Sequence, residues 1–95
     1  SGKGKGVTNL GTNEAVHILQ NYVSRGESVA ISRDGLTLAS GCDDNTINIW
    51  KLQTGELLTS LKGHSGTVYS VAIAPSGNLL ASGSADQTIK IWRCD

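Results

Sequence analysis

The chain has 95 residues, 38% of them hydrophobic and 17% charged, and its eight basic and eight acidic side chains leave no net charge. That balance supplies no field to draw nucleic acid or an anionic membrane surface, so neither is expected as a partner. No apolar run approaches the roughly 20 residues of a membrane span, and the amino end carries no secretion-signal stretch, which makes a cytoplasmic setting the expectation.

Residues 1–13 open with Ser1-Gly2-Lys3-Gly4-Lys5-Gly6. This run lacks the Ser or Thr that follows Gly-Lys in a phosphate-binding loop, and no strand precedes it as a dinucleotide fingerprint requires. Its two lysines offer nucleic acid a weak, salt-sensitive contact. The segment reads as a flexible tail or a remnant left by cloning. Residues 14–20 then read as a strand, and they superpose on residues 56–62 when the chain is slid 42 positions along itself. His17 falls on Thr59 and is read as an exposed strand residue rather than a ligand.

The same offset carries Ser28-Val29-Ala30-Ile31 onto Ser70-Val71-Ala72-Ile73, and Leu38-Ala39-Ser40-Gly41 onto Leu80-Ala81-Ser82-Gly83. It carries Thr46-Ile47-Asn48-Ile49-Trp50 onto Thr88-Ile89-Lys90-Ile91-Trp92. A period in the low forties indicates a propeller or a helical array. Turn residues cut each repeat into short strands, which favours the propeller. In the first repeat the expected strands are 27–32, 36–42, 46–52 and 56–62, separated by turns at Arg33-Asp34-Gly35, Asp43-Asp44-Asn45 and Gln53-Thr54-Gly55. The acidic turn lacks the glycine and closing glutamate of a calcium loop.

In the second repeat the expected strands are 68–74, 79–84 and 88–93. At Pro75-Ser76-Gly77-Asn78 proline presets one φ and glycine accepts a positive one, and Ala85-Asp86-Gln87 makes the next turn. Within 68–74, Tyr69, Val71 and Ile73 alternate with Val68, Ser70, Ala72 and Ala74, a bulky face and a small one, both expected to be buried. Ile89 and Ile91 face away from Trp92. The second repeat has no outermost strand of its own, and 14–20 is a spare copy. Cys42 aligns with Ser84 and Cys94 with Leu52, so the two thiols form neither a disulfide framework nor a zinc site and are expected to be free.

Gly63-His64, Pro75-Ser76-Gly77, Leu80-Ala81-Ser82-Gly83-Ser84, Asp86 and Ile89-Lys90-Ile91-Trp92 together resemble the signature of a WD-repeat β-propeller blade. The resemblance covers about residues 14–95. It departs from the family after each tryptophan, where Lys51 and Arg93 stand in place of the frequent aspartate. It implies an all-β propeller with two four-stranded WD-repeat blades per chain, a closing strand and first blade over 14–62 and a second blade over 63–95. It also implies a hydrogen-bonded chain of His64, Ser82, Asp86 and Trp92 in the second blade. The first blade retains Ser40, Asp44 and Trp50 but has Tyr22 at the histidine position. Either that network is shorter or Tyr22 supplies its hydroxyl, and the loop 21–26 is expected to be the looser of the two leading loops.

A His, a Ser and an Asp in one blade also admit a hydrolase reading. Ser82, however, falls within a strand and has no Gly-x-Ser-x-Gly elbow around it. No catalytic residue, cofactor or metal is expected.

By resemblance, a protein-binding face is formed by the loops into each inner strand and the turns between second and third strands. Its residues here are Arg25, Glu27 and Asp43 in the first blade and Thr67, Tyr69 and Ala85 in the second. Tyr69 is the strongest of these, because an aromatic ring supplies contact area at little entropic cost. Its alternation with Val71 and Ile73 equally admits packing between blades.

Two blades fall short of the four to eight that usually close a propeller, and they leave apolar flanks and strand edges open. Completion is expected from three or four copies, giving a ring of six or eight blades in which 15–20 of each chain adds to the second blade of its neighbour. The alternative is that the residues are the carboxyl end of a longer propeller. The implied role is a non-catalytic protein-interaction scaffold. The rival is a purely structural self-assembling module with no dedicated ligand.

Overall fold

The computed structural model describes residues 26–93. Seven strands run in chain order: β1 (Gly26–Ile31), β2 (Thr37–Cys42), β3 (Ile47–Lys51), β4 (Glu56–Leu61), β5 (Val68–Ile73), β6 (Leu79–Ser84) and β7 (Ile89–Arg93). They form two antiparallel meanders, β1-β2-β3-β4 and β5-β6-β7. Residues 1–25, with His17 and the segment 14–20, and Cys94 lie outside the described residues.

Tight turns set each meander. Gly35 and Gly77, at φ 75° and 81°, close the first turn of each sheet. Their N–H groups donate to the carbonyls of Ser32 and Ala74 at 2.9 and 2.8 Å. A left-handed residue after a turn matches the twist of the two strands it joins, and glycine adopts it without steric cost. The following turn ends on Asn45 and Gln87, also left-handed at 76° and 74°. Asp44 and Asp86 brace that turn by accepting the N–H of Thr46 at 3.2 Å and of Thr88 at 2.9 Å. Asp34 does the same one turn earlier. The Ser32 hydroxyl and the Leu36 N–H donate to it at 2.6 and 3.0 Å, and these bonds hold its carboxyl below the usual carboxylate range.

The two leading strands each carry one residue outside the ladder. Gly26 pairs with Cys42 and Ser28 with Gly41, while Val68 pairs with Ser84 and Ser70 with Gly83. Glu27 and Tyr69 are therefore bulge residues, and a bulge re-aims the side chain it carries. Simple alternation places Tyr69 beside Val71 and Ile73. The bulge shifts the parity by one, so that Val68 is buried with Val71 and Tyr69 is 55% exposed.

The core lies between the sheets. Ala39 and Ile47 of the first are buried against Val68, Val71 and Leu80 of the second, with Ala30, Ile49, Leu61, Ile73 and Trp92 packed around them. Gly41 permits the closest approach, because a Cβ there would fall 2.6 Å from the Val68 carbonyl oxygen. The expectation of two buried faces on 68–74 is met on one side. Ser70 and Ala72, on the other side, are exposed.

Candidate interaction face and its supporting network

His64 is buried in the loop ahead of β5. Its Nε2 lies 2.7 Å from Ser82 Oγ and its Nδ1 2.9 Å from Asp86 Oδ2. The Trp92 indole N–H donates to the same Ser82 oxygen at 2.8 Å. For a neutral imidazole, donor and acceptor capacities fix the direction of this chain. The indole donates to the hydroxyl, the hydroxyl donates to Nε2, and Nδ1–H donates to the carboxylate. Each of these polar groups, costly to bury alone, thereby has a partner.

Asp86 ends the chain and gathers further bonds. The Thr88 hydroxyl donates to its Oδ1 at 2.5 Å and the Ser65 N–H to its Oδ2 at 3.0 Å. The Thr88 hydroxyl is the main cause that holds this carboxyl well below the usual range, against the opposing effect of burial and with help from Ser65 and His64. Ser84 adds a second tie, since its hydroxyl donates to the Gly66 carbonyl at 2.9 Å and accepts the Asp86 N–H at 3.1 Å. A Cβ on Gly66 would sit 2.8 Å from the Asp86 nitrogen, so only glycine lets the loop come this close.

The first sheet is wired differently. Trp50 donates to Ser40 Oγ at 3.2 Å, and Ser40 Oγ has Cys42 Sγ 3.8 Å away. Asn48 then donates toward Cys42 Sγ at 3.4 Å and accepts the Ser60 hydroxyl at 2.6 Å. Among the described residues Asp44 stands apart from this group. It accepts the Thr46 hydroxyl at 2.5 Å and braces its own turn. Among the described residues the network of the first blade runs outward to β4 through Asn48 and Ser60. Tyr22 lies outside the described residues.

The order Ser82, His64, Asp86 is that of a hydrolase triad, but Ser82 is 1% exposed and its hydroxyl is held between Trp92 and His64. The arrangement fixes a loop against a sheet. Among the described residues no group of three His, Cys, Asp or Glu is placed to hold a metal. No helix among them is long and apolar enough to cross a membrane.

The sequence matches the family described as WD domain, G-beta repeat, over residues 15–51 and 55–93. The chain belongs to the WD40 family. Its two sheets are WD40 blades, and solved structures of the same family share their form. One is a structure of U3-55K, 35% identical with a TM-score of 0.72, in which the match covers 75% of this chain and 22% of that one. Another is the WD40 repeats of RRP9, 35% identical with a TM-score of 0.70, covering 73% and 21%. The WD40 chain therefore spans about a fifth of the length of these structures. None of the curated proteins matches it at a significant level.

Five of the six residues expected on the interaction face of these WD40 blades are described, and they gather at one end. Glu27 is the second residue of β1, beside the turn that holds Asp43, and Thr67 and Tyr69 flank the start of β5 beside Ala85. Ala85 N–H donates to the Thr67 carbonyl at 2.9 Å. Gly41, opposite Ser28, abuts Val68, which sets the two strand starts side by side. Glu27, Asp43, Tyr69 and Ala85 are exposed and Thr67 is half-buried, while Arg25 lies outside the described residues.

Thr88, Ser84, Cys42, Asn48 and Ser60 join these WD40 networks without having been singled out from sequence. The repeated Asp-x-Thr spacing at 44–46 and 86–88 was a visible sign of Thr88. Asn48 and Ser60 meet because β3 pairs with β4, which no local pattern announces. Between the blades a cavity of about 450 Å³ opens beside Asp34, Leu58, Leu61, Gly77, Leu80 and Trp92.

Proposed function

We propose that the chain is a non-catalytic protein-interaction scaffold that binds a protein or peptide on the face bearing Glu27, Asp43, Thr67, Tyr69 and Ala85, together with Arg25. Tyr69 carries this reading. It is a large ring, more than half exposed at a bulge, and tyrosine makes extensive contacts while losing little rotamer freedom. The burial of Ser82 supports the absence of catalysis. A cytoplasmic setting is supported by the free, buried Cys42.

The blades around this face form a ring built from copies of the chain, three for six blades or four for eight. Among the described residues β7 has no strand on its outer side. Residues 15–20 of a neighbouring copy supply that strand, since they superpose in sequence on residues of β4.

The test compares proteins captured from a cell extract by the chain and by Tyr69→Ala. The expected result is a specific protein retained by the first and lost by the second, with circular dichroism unchanged. Equal capture by both, or none by either, favours the second reading, a purely structural self-assembling module. The exposed apolar flanks Val29 and Ile31, and Ile89 and Ile91, are the observation behind that alternative.

A further inference from the structure

We infer that the open flank of the second blade docks onto the open flank of the first blade in another copy of this chain, and that this joint repeats the one inside the chain. The inference rests on the assembly reading above and assigns the surface, the partner and the polarity of the contact.

Inside the chain the joint brings Ala39, Ile47 and Ile49 of the first blade against Val71, Ile73 and Leu80 of the second. Forty-two residues beyond the first group stand Ala81, Ile89 and Ile91, and 42 residues before the second stand Val29, Ile31 and Leu38. The residue types are identical throughout. Their placement is equivalent too, because Ala39 pairs with Ile49 and Gly41 with Ile47 just as Ala81 pairs with Ile91 and Gly83 with Ile89. Burial is where the repeats differ. Ile47 is 0% exposed and Val71 8%, whereas Ile89 is 77% exposed and Val29 64%. The chain thus presents both halves of an interface that it already forms once. Such a head-to-tail contact yields a ring where the rotation closes.

Leu61 and Val68 of the joint are not copied, and the second supplies an independent sign. The counterpart of Val68 is Gly26, so the valine side chain is absent from a joint between copies. The backbone contact is retained. Gly41 is required inside the chain because a Cβ there would lie 2.6 Å from the Val68 carbonyl oxygen. Gly83, its counterpart, would place a Cβ 3.7 Å from Ser70 Cβ and near nothing else, an ordinary contact. Nothing among the described residues calls for glycine at 83. A second copy does, since the Gly26 backbone then occupies the place of Val68.

The experiment is light scattering on a sizing column over a range of concentrations, with the full chain and the variants Gly83→Ala, Ile89→Glu, Val29→Glu and Tyr69→Ala. The chain is expected at a fixed multiple of 9.9 kDa. Gly83→Ala should retain its circular dichroism and need about tenfold or more protein to assemble, the scale of one overpacked contact. Ile89→Glu and Val29→Glu should each be monomeric alone, yet form a 1:1 dimer when mixed, because each keeps the flank that the other lacks. Tyr69→Ala should assemble like the unmodified chain, which separates this joint from the interaction face. A folded monomer at all concentrations overturns the inference. So does assembly unaffected by both Gly83→Ala and Ile89→Glu, or a mixture of the two charged variants that stays monomeric.

Discussion

His64 Nε2 lies 2.7 Å from Ser82 Oγ, a contact that bonds the loop ahead of β5 to the middle of β6. In the first blade Ser40 receives the Trp50 indole at 3.2 Å, with the weak partner Cys42 on its other side. Ser82→Ala strands two groups, the half-buried Trp92 N–H and the buried His64 Nε2, at a cost of up to about 1–3 kcal/mol for each unsatisfied group. Ser40→Ala strands one indole N–H. Urea midpoints of the two variants, taken at one protein concentration, should fall further for Ser82→Ala. Equal losses would mean that His64 adds nothing to the network.

Asp86 makes folding sensitive to acid. Its carboxyl is held below its ordinary value of 3.8 in the folded chain, chiefly by the Thr88 hydroxyl. A depressed folded pKa gives stability that is fully present above the unfolded value and is lost as the pH falls toward the folded one. Urea midpoints measured downward from about pH 5 should therefore decline as the carboxylates titrate. Asp86→Asn should be less stable at neutral pH and flatter below it. A slope identical to that of the unmodified chain would remove Asp86 as its source.

The 42-residue repeat made the strands legible, because turn residues such as Pro75-Ser76-Gly77 bracket each apolar run and periodicity alone then separates strand from loop. His64, Ser82, Asp86 and Trp92 were legible through family resemblance rather than through chemistry visible in the chain itself. Tyr69 marks where the pattern stopped being sufficient. Alternation allows it either to pack or to be exposed, and the choice is made by a bulge, which depends on how β5 pairs with β6. Asn48 and Ser60, and the place of Cys42 in their network, were not legible for a related reason. The partner of Asn48 comes from a neighbouring strand, and the contact between Asn48 and Ser60 spans 12 residues of sequence.

Gln87 occupies the left-handed region at φ 74°, where its neighbour in the repeat, Asn45, sits at 76°. A non-glycine residue there costs about 1–3 kcal/mol, against which glycine loses about 0.5–1 kcal/mol more backbone entropy on folding. Gln87→Gly should therefore raise the urea midpoint. Asn45→Gly should raise it less, because asparagine tolerates this conformation. A larger gain at 45 than at 87 would show that something other than backbone strain governs these turns.

Gly41 reports on the joint between blades. A Cβ placed on it would meet the Val68 carbonyl oxygen at 2.6 Å and Val68 Cγ1 at 2.8 Å. Backbone cannot swing aside as a flexible side chain does, so Gly41→Ala must push β2 away from β5 and loosen the packing of Ile47 on Val71 and Leu80. Overpacking of this kind typically costs about 1–3 kcal/mol. The loss should be localised. Amide hydrogen exchange is expected to rise along β2 and β5, while the N–H of Thr88, bonded to Asp86 within the second blade, keeps its protection. Uniform loosening of both blades would mean that they fold as one unit and that the joint is as stable as the ladders. A variant as stable as the unmodified chain would mean that the blades do not dock through Gly41 at all.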